Sequence, residues 1–88
     1  MDTQVAYEMI CAAVEKHPHR HFVGRSIDEQ HFGNFFVSFT QDGDERSVVN
    51  DRGFVYVTGD LTGTGEALAT IPSLYKAEEQ ALLMELGL

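Results

Sequence analysis

The chain has no tryptophan, one cysteine, two prolines and six basic residues among 88. A lone Cys11 excludes an internal disulfide, and such sparse cysteine use fits a cytoplasmic protein. Cys11 is expected as a small core hydrophobe rather than a nucleophile. No apolar run approaches the ~18 residues of a membrane-spanning helix, so no membrane partner is expected. The start, Met1-Asp2-Thr3-Gln4, is acidic and polar, unlike a signal peptide. Six Lys and Arg stand against fourteen Asp and Glu, giving a formal net charge of −8. Such a surface repels phosphate backbones, which argues against direct nucleic-acid binding. It attracts basic proteins.

The charge is uneven. Residues 1–25 balance three acids against three bases. Residues 26–88 set eleven acids against three bases and carry the whole excess. The bland alternative is ordinary solubility charge. At 43% hydrophobic and 10% aromatic, the composition is that of a folded chain rather than a disordered one. Its length suits one domain, residues 1–88, with one core and no deep enclosed cavity.

The centre, Asn34 to Asp60, reads as two β-hairpins in series. Phe35, Val37 and Phe39 alternate with Phe36, Ser38 and Thr40. The turns Asp42-Gly43 and Asp51-Arg52-Gly53 each place a Gly where a hairpin needs positive φ. Val48 or Val49 extends the inward face, and Phe54-Val55-Tyr56-Val57 carries apolar groups on both faces, as a central or covered strand does. Asp2 or Thr3 can cap a first helix to about Lys16, ended by His17-Pro18. Its apolar face is Val5, Ala6, Met9, Ile10, Ala13 and Val14. Residues 21–28 read as a short irregular strand with Phe22 and Ile27 inward. Residues 59–65 are loop, and Glu66 to Ile71 reads as a turn of helix. A final helix runs from Pro72 or Ser73 to about Leu86, with Gly87 past its end. The predicted class is α+β: an antiparallel meander of three to four strands flanked by an N-terminal and a C-terminal helix.

Catalytic and metal patterns are weak. His17, His19 and His21 would share one side of an extended segment, and His31 could join them on Zn or Ni. That histidine-only set lacks a supporting Cys or carboxylate pair. Asp42, Asp44 and Glu45 crowd a tight turn but lack the ligand spacing of a calcium loop. The Gly/Thr loop 59–65 is followed by Glu66 where a phosphate-binding loop needs Lys and Ser or Thr. No serine has a legible His-Asp set. The reading is therefore non-enzymatic, with no cofactor and no metal. Phe36 points outward if Phe35 points inward, and Val55 and Val57 could join it. Sequence leaves two arrangements for that patch: covered by the second helix, or exposed as an interface rimmed by acid.

The run Phe35-Phe36-Val37-Ser38-Phe39, an acidic turn, then Val48-Val49-Asn50-Asp51-Arg52-Gly53-Phe54-Val55-Tyr56 is similar to small immunity proteins of bacterial polymorphic-toxin systems. It is also similar to cystatin-like sheets with a helix laid across them. Asn50 stands where that pattern usually has Asp, and no Trp precedes the first long strand. The resemblance implies a binding protein that neutralises a co-encoded toxin, and it brings no catalytic residue. Nuclease toxins, built to hold phosphate, would be basic partners. Asp42, Asp44, Glu45, Asp51 and Asp60 would then supply steering and rim contacts, with Phe36 or Tyr56 as an anchor. A phage-encoded inhibitor of a host nucleic-acid-handling complex belongs to the same physical class. A small structural or oligomerisation module, such as a homodimer joined along a sheet edge, is the other alternative.

Overall fold

The computed structural model describes residues 1–88. Helix α1 spans Thr3–Lys16. Its N-cap, Asp2, accepts the Gln4 amide at 2.7 Å, and its C-cap, His17, is already extended, as a residue before Pro18 must be. Five strands follow: β1 Arg20–Asp28, β2 Asn34–Gln41, β3 Asp44–Asp51, β4 Phe54–Thr58 and β5 Ala67–Ile71. They form one antiparallel sheet in sequential order, so every connection is local. A single 3-10 turn, Leu74–Lys76, and helix α2, Glu79–Glu85, complete the chain. This is the expected α+β meander between two helices, with five strands rather than three to four.

Two tight turns set the register of the centre. Asp42 and Gly43 have φ of 51° and 87°, and Arg52 and Gly53 have 53° and 93°. Two consecutive positive φ values make the turn that matches strand twist, and they pair Gln41 with Asp44 and Asp51 with Phe54. From there the faces follow by alternation. Phe35, Val37, Phe39, Val48, Val55, Val57 and Ile71 face the helices and are buried. Ala6, Ile10, Cys11 and Val14 of α1 meet them, with Leu74, Leu82 and Leu86 from the C-terminal segment. Cys11 lies in this core, and burial together with the adjacent Cys11 raises the Tyr7 hydroxyl above its usual pKa. Val5 is on the exposed side of α1, because the helix lies over β1 and β2 and presents one stripe to them.

Three expectations need correction. Val55 and Val57 do not join Phe36; they belong to the helix-facing core, and Val49, Phe54 and Tyr56 share the outer face instead. Residues 67–71 are not helical. They are the edge strand β5, which gives β4 its second neighbour. The final helix is interrupted. Leu74 donates its amide to Gly53 O at 2.7 Å, and Tyr75 packs across Gly53 so closely that a Cβ there would lie 2.5 Å from its ring. This anchor fixes the first turn, Ala77 and Glu78 are extended, and α2 starts afresh at Glu79. Gly87, at φ 76°, does end the helix: its amide reaches Met84 O at 3.1 Å and that of Leu88 reaches Leu83 O at 2.8 Å. The irregularity of β1 is a bulge between Phe22 and Gly24.

Candidate functional site

Both helices lie on one face of the sheet, so its other face must be covered by loop or by solvent. Cross-strand pairing lays out that outer face in rows. Ser26, Phe36, Val49, Tyr56 and Thr70 make one row. Gly24, Ser38, Ser47 and Thr58 make the next. The second row is capped by loop 59–65. Ser38 and Ser47 are buried with their Oγ atoms 2.8 Å apart, and Ser38 Oγ donates to Leu61 O at 3.1 Å. Gly63, at φ 73°, lies directly on Val49; a Cβ there would come within 2.8 Å of its Cγ2.

Asp60 shapes this loop. Its Oδ1 accepts the Thr58 hydroxyl and the Gly63 amide, each at 2.9 Å. The Thr58 hydrogen bond is the main reason its carboxyl is held below the usual range, with amides of the loop adding to it against some desolvation. A lowered folded pKa means the contribution is complete above the unfolded value, about 3.9, and is lost as pH falls through the folded value. The Gly63, Thr64 and Gly65 amide resonances should therefore titrate below the ordinary Asp range, and in Asp60→Asn that transition should vanish. A transition at ordinary Asp pH, or none in the parent protein, contradicts this account.

The loop reaches the first row at Val49 and leaves beside it a groove of about 470 Å³. Phe36, Val49 and Tyr56 form its floor, and Thr62, Gly63 and Thr64 one wall. Phe36 is 42% exposed, and the Phe54 and Tyr56 rings extend the apolar surface, with centroids 5.9 Å apart. At the far rim, Asp28 pairs with Asn34, and Asn34 Oδ1 accepts the Arg52 amide at 2.8 Å, which sets Asp51 beside it. Asp28 and Asp51 thus stand two strand spacings apart, roughly 10 Å. The second helix does not cover Phe36, since both helices pack on the opposite face.

The seven sequence-derived site residues fall into three places. Asp51, Phe36 and Tyr56 meet at the groove. Asp42, Asp44 and Glu45 occupy the β2–β3 turn at the opposite end of β3, seven residues or roughly 23 Å from Asp51. Asp60 lies between, its carboxylate engaged within its own loop. Val49, Asp28, Thr62 and Thr64 are additional groove residues that the sequence reading missed. Val49 was recoverable, because the two-residue Arg52-Gly53 turn pairs it with Tyr56.

The histidines separate. His17 and His19 stack edge-to-face at 5.8 Å, and His19 lies 3.4 Å from Asp42. His31 is at the other end of the sheet, 2.7 Å from Asp28. No group of three or more His, Cys, Asp or Glu converges where a metal ion could be held. No helix is long and apolar enough to cross a membrane.

Three of the six Lys and Arg residues lie over rings, and none is paired with a carboxylate. Arg20 lies 5.7 Å from the Phe39 centroid, Arg25 4.2 Å from Phe22 and Arg52 5.0 Å from Phe32. Arg46 donates to the backbone oxygen of Glu45. The only ion-pair contacts are the two made by His19 and His31, so none of the fourteen acids is paired with Lys or Arg. No family model, curated protein or solved structure matches this chain.

Proposed function

We propose that the chain is a non-enzymatic, cytoplasmic inhibitor that binds a basic protein through its acidic surface. The observation that carries this reading is the absence of internal neutralisation: fourteen acids, and not one Lys or Arg ion pair among them. Carboxylates left unpaired keep their field in solvent, where it acts over the ~8–10 Å screening length and speeds encounter with an opposite charge. Three of the four Arg residues that could have quenched it lie over aromatic rings, and Arg46 donates to a backbone oxygen. The similarity to immunity proteins gives the partner a class, a co-encoded toxin whose nuclease-like surface is built to hold phosphate. A phage-encoded inhibitor of a host nucleic-acid-handling complex would use the same physics, and neighbouring genes distinguish the two. In the first case, a basic neighbouring gene product should be toxic when expressed alone and harmless with this chain at equal amount. Undiminished toxicity with this chain bound or present in excess overturns the reading.

A homodimer is the second reading, and β5 favours it. Residues 67–71 form an open sheet edge without a charge or a proline, and the one register shift in its pairing with β4, at Leu68, leaves the stretch from Ala69 to Ile71 regular. Sedimentation across a hundredfold concentration range separates a dimer from a monomer that awaits a basic partner.

A further inference from the structure

We propose that the outer-face groove receives an arginine side chain of the basic partner, its guanidinium stacked on Phe36 and Tyr56 and donating to Asp51. This rests on the inhibitor reading and gives it a specific contact. Three observations lead there. First, the groove joins an aromatic floor to a carboxylate rim, yet no Lys, Arg or His lines it. Aromatic faces attract cations, and a carboxylate beside them fixes the direction of approach. Second, no side chain or backbone donor of this chain reaches the Asp51 carboxylate, whereas that of Asp28 is held by the Gln30 amide and by His31. Asp51 is thus the free acceptor, and Asp28 adds charge at the rim. Third, the fold repeatedly places guanidinium on a ring, at Phe39, Phe22 and Phe32, and leaves the outer-face rings without one.

Arginine fits this combination better than lysine. Its planar, weakly hydrated group can stack and donate in parallel, whereas an ammonium is a compact and strongly hydrated point charge. A second copy of this chain is a poor occupant, because acid at the rim would meet another surface in which acids outnumber bases by eight.

The test uses a blocked Gly-Arg-Gly peptide, with citrulline and lysine counterparts, titrated into the isotope-labelled full chain. The expected result is saturable shifts confined to Val49, Asp51, Tyr56, Thr62 and Gly63. Lysine should bind several-fold more weakly, and citrulline, which keeps the shape without the charge, should not saturate. Asp51→Asn should weaken the arginine peptide at least fivefold while the melting temperature stays unchanged, since that side chain is exposed. Tyr56→Ala is the second variant, and its melting temperature is measured beside its binding. The proposal is overturned by shifts centred on Asp42 to Glu45, by equal citrulline binding, by no saturable shift, or by groove shifts that follow protein concentration without peptide. Any of these leaves the inhibitor reading standing. That reading fails separately, through a neighbouring toxin that this chain does not neutralise.

Discussion

Asn50→Asp is expected to lower the melting temperature by roughly 10–25 °C at neutral pH. Asn50 is 1% exposed, at the core face of β3, where an amide rather than a carboxylate is required. Its Nδ2 donates to Gly33 O and its Oδ1 accepts the Gly53 amide, both at 3.0 Å. One side chain therefore ties the end of the β1–β2 connection to the β3–β4 turn. A carboxylate can still accept from Gly53 but cannot donate to Gly33, whose oxygen it would face as a buried negative charge. Losing a buried donor and burying an unpaired charge together cost about 3 kcal/mol or more. In a domain of this size each kcal/mol moves the midpoint by about 4–8 °C. The sign with pH is fixed. Burial raises the introduced carboxyl's pKa, so the deficit against the parent should shrink as pH falls and the protonated acid regains a donor. Asn50→Ala orphans both partners and should be destabilised without that recovery. A variant within 3 °C of the parent at pH 7 would show that the two turns hold without Asn50.

That residue also illustrates what the sequence made legible. It was visible as a polar residue directly after Val48-Val49, but its reason was not. The two bonds reach Gly33 and Gly53, one far back along the chain and one inside the turn. The meander itself was readable because Asp-Gly and Arg-Gly sit between alternating runs, and two-residue turns determine pairing. The phase of β4 was in principle readable from the same turn. Phe54-Val55-Tyr56-Val57 has no polar alternation to display it, so the register had to be counted from Asp51. Strand β5 was not readable. Ala67-Leu68-Ala69 carries no period of two, and its strand form is imposed by β4 beside it. The site was half visible: aromatic and acidic residues could be named, but not their grouping. Loop 59–65 settles over Ser38 and Val49 through contacts distant in sequence, and those contacts decide where the groove opens.

The inhibitor reading makes its largest quantitative demand on the far end of the sheet. Replacing Asp42 with Asn and both Asp44 and Glu45 with Lys should lower the association rate with the basic partner at least tenfold at low salt. These side chains are exposed on the two-residue turn and the first two positions of β3, and the one ion-pair contact among them is that of Asp42 with His19, itself exposed. Asn suits the positive φ at position 42, and an exposed pair of that kind contributes little to stability, so folding should change by under about 0.5 kcal/mol. The turn lies roughly 23 Å from Asp51 along β3, beyond the screening length at physiological salt. Its effect should therefore be on encounter rather than on the bound contact. Raising salt should slow the parent strongly and the variant weakly, so that the two rates converge. Phe36→Ala and Asp51→Asn should behave in the opposite manner, raising the dissociation rate while leaving the association rate and its salt slope nearly unchanged. If the triple variant and the parent associate at the same rate with the same salt slope, the turn is solvated surface only. Recognition would then rest on the groove.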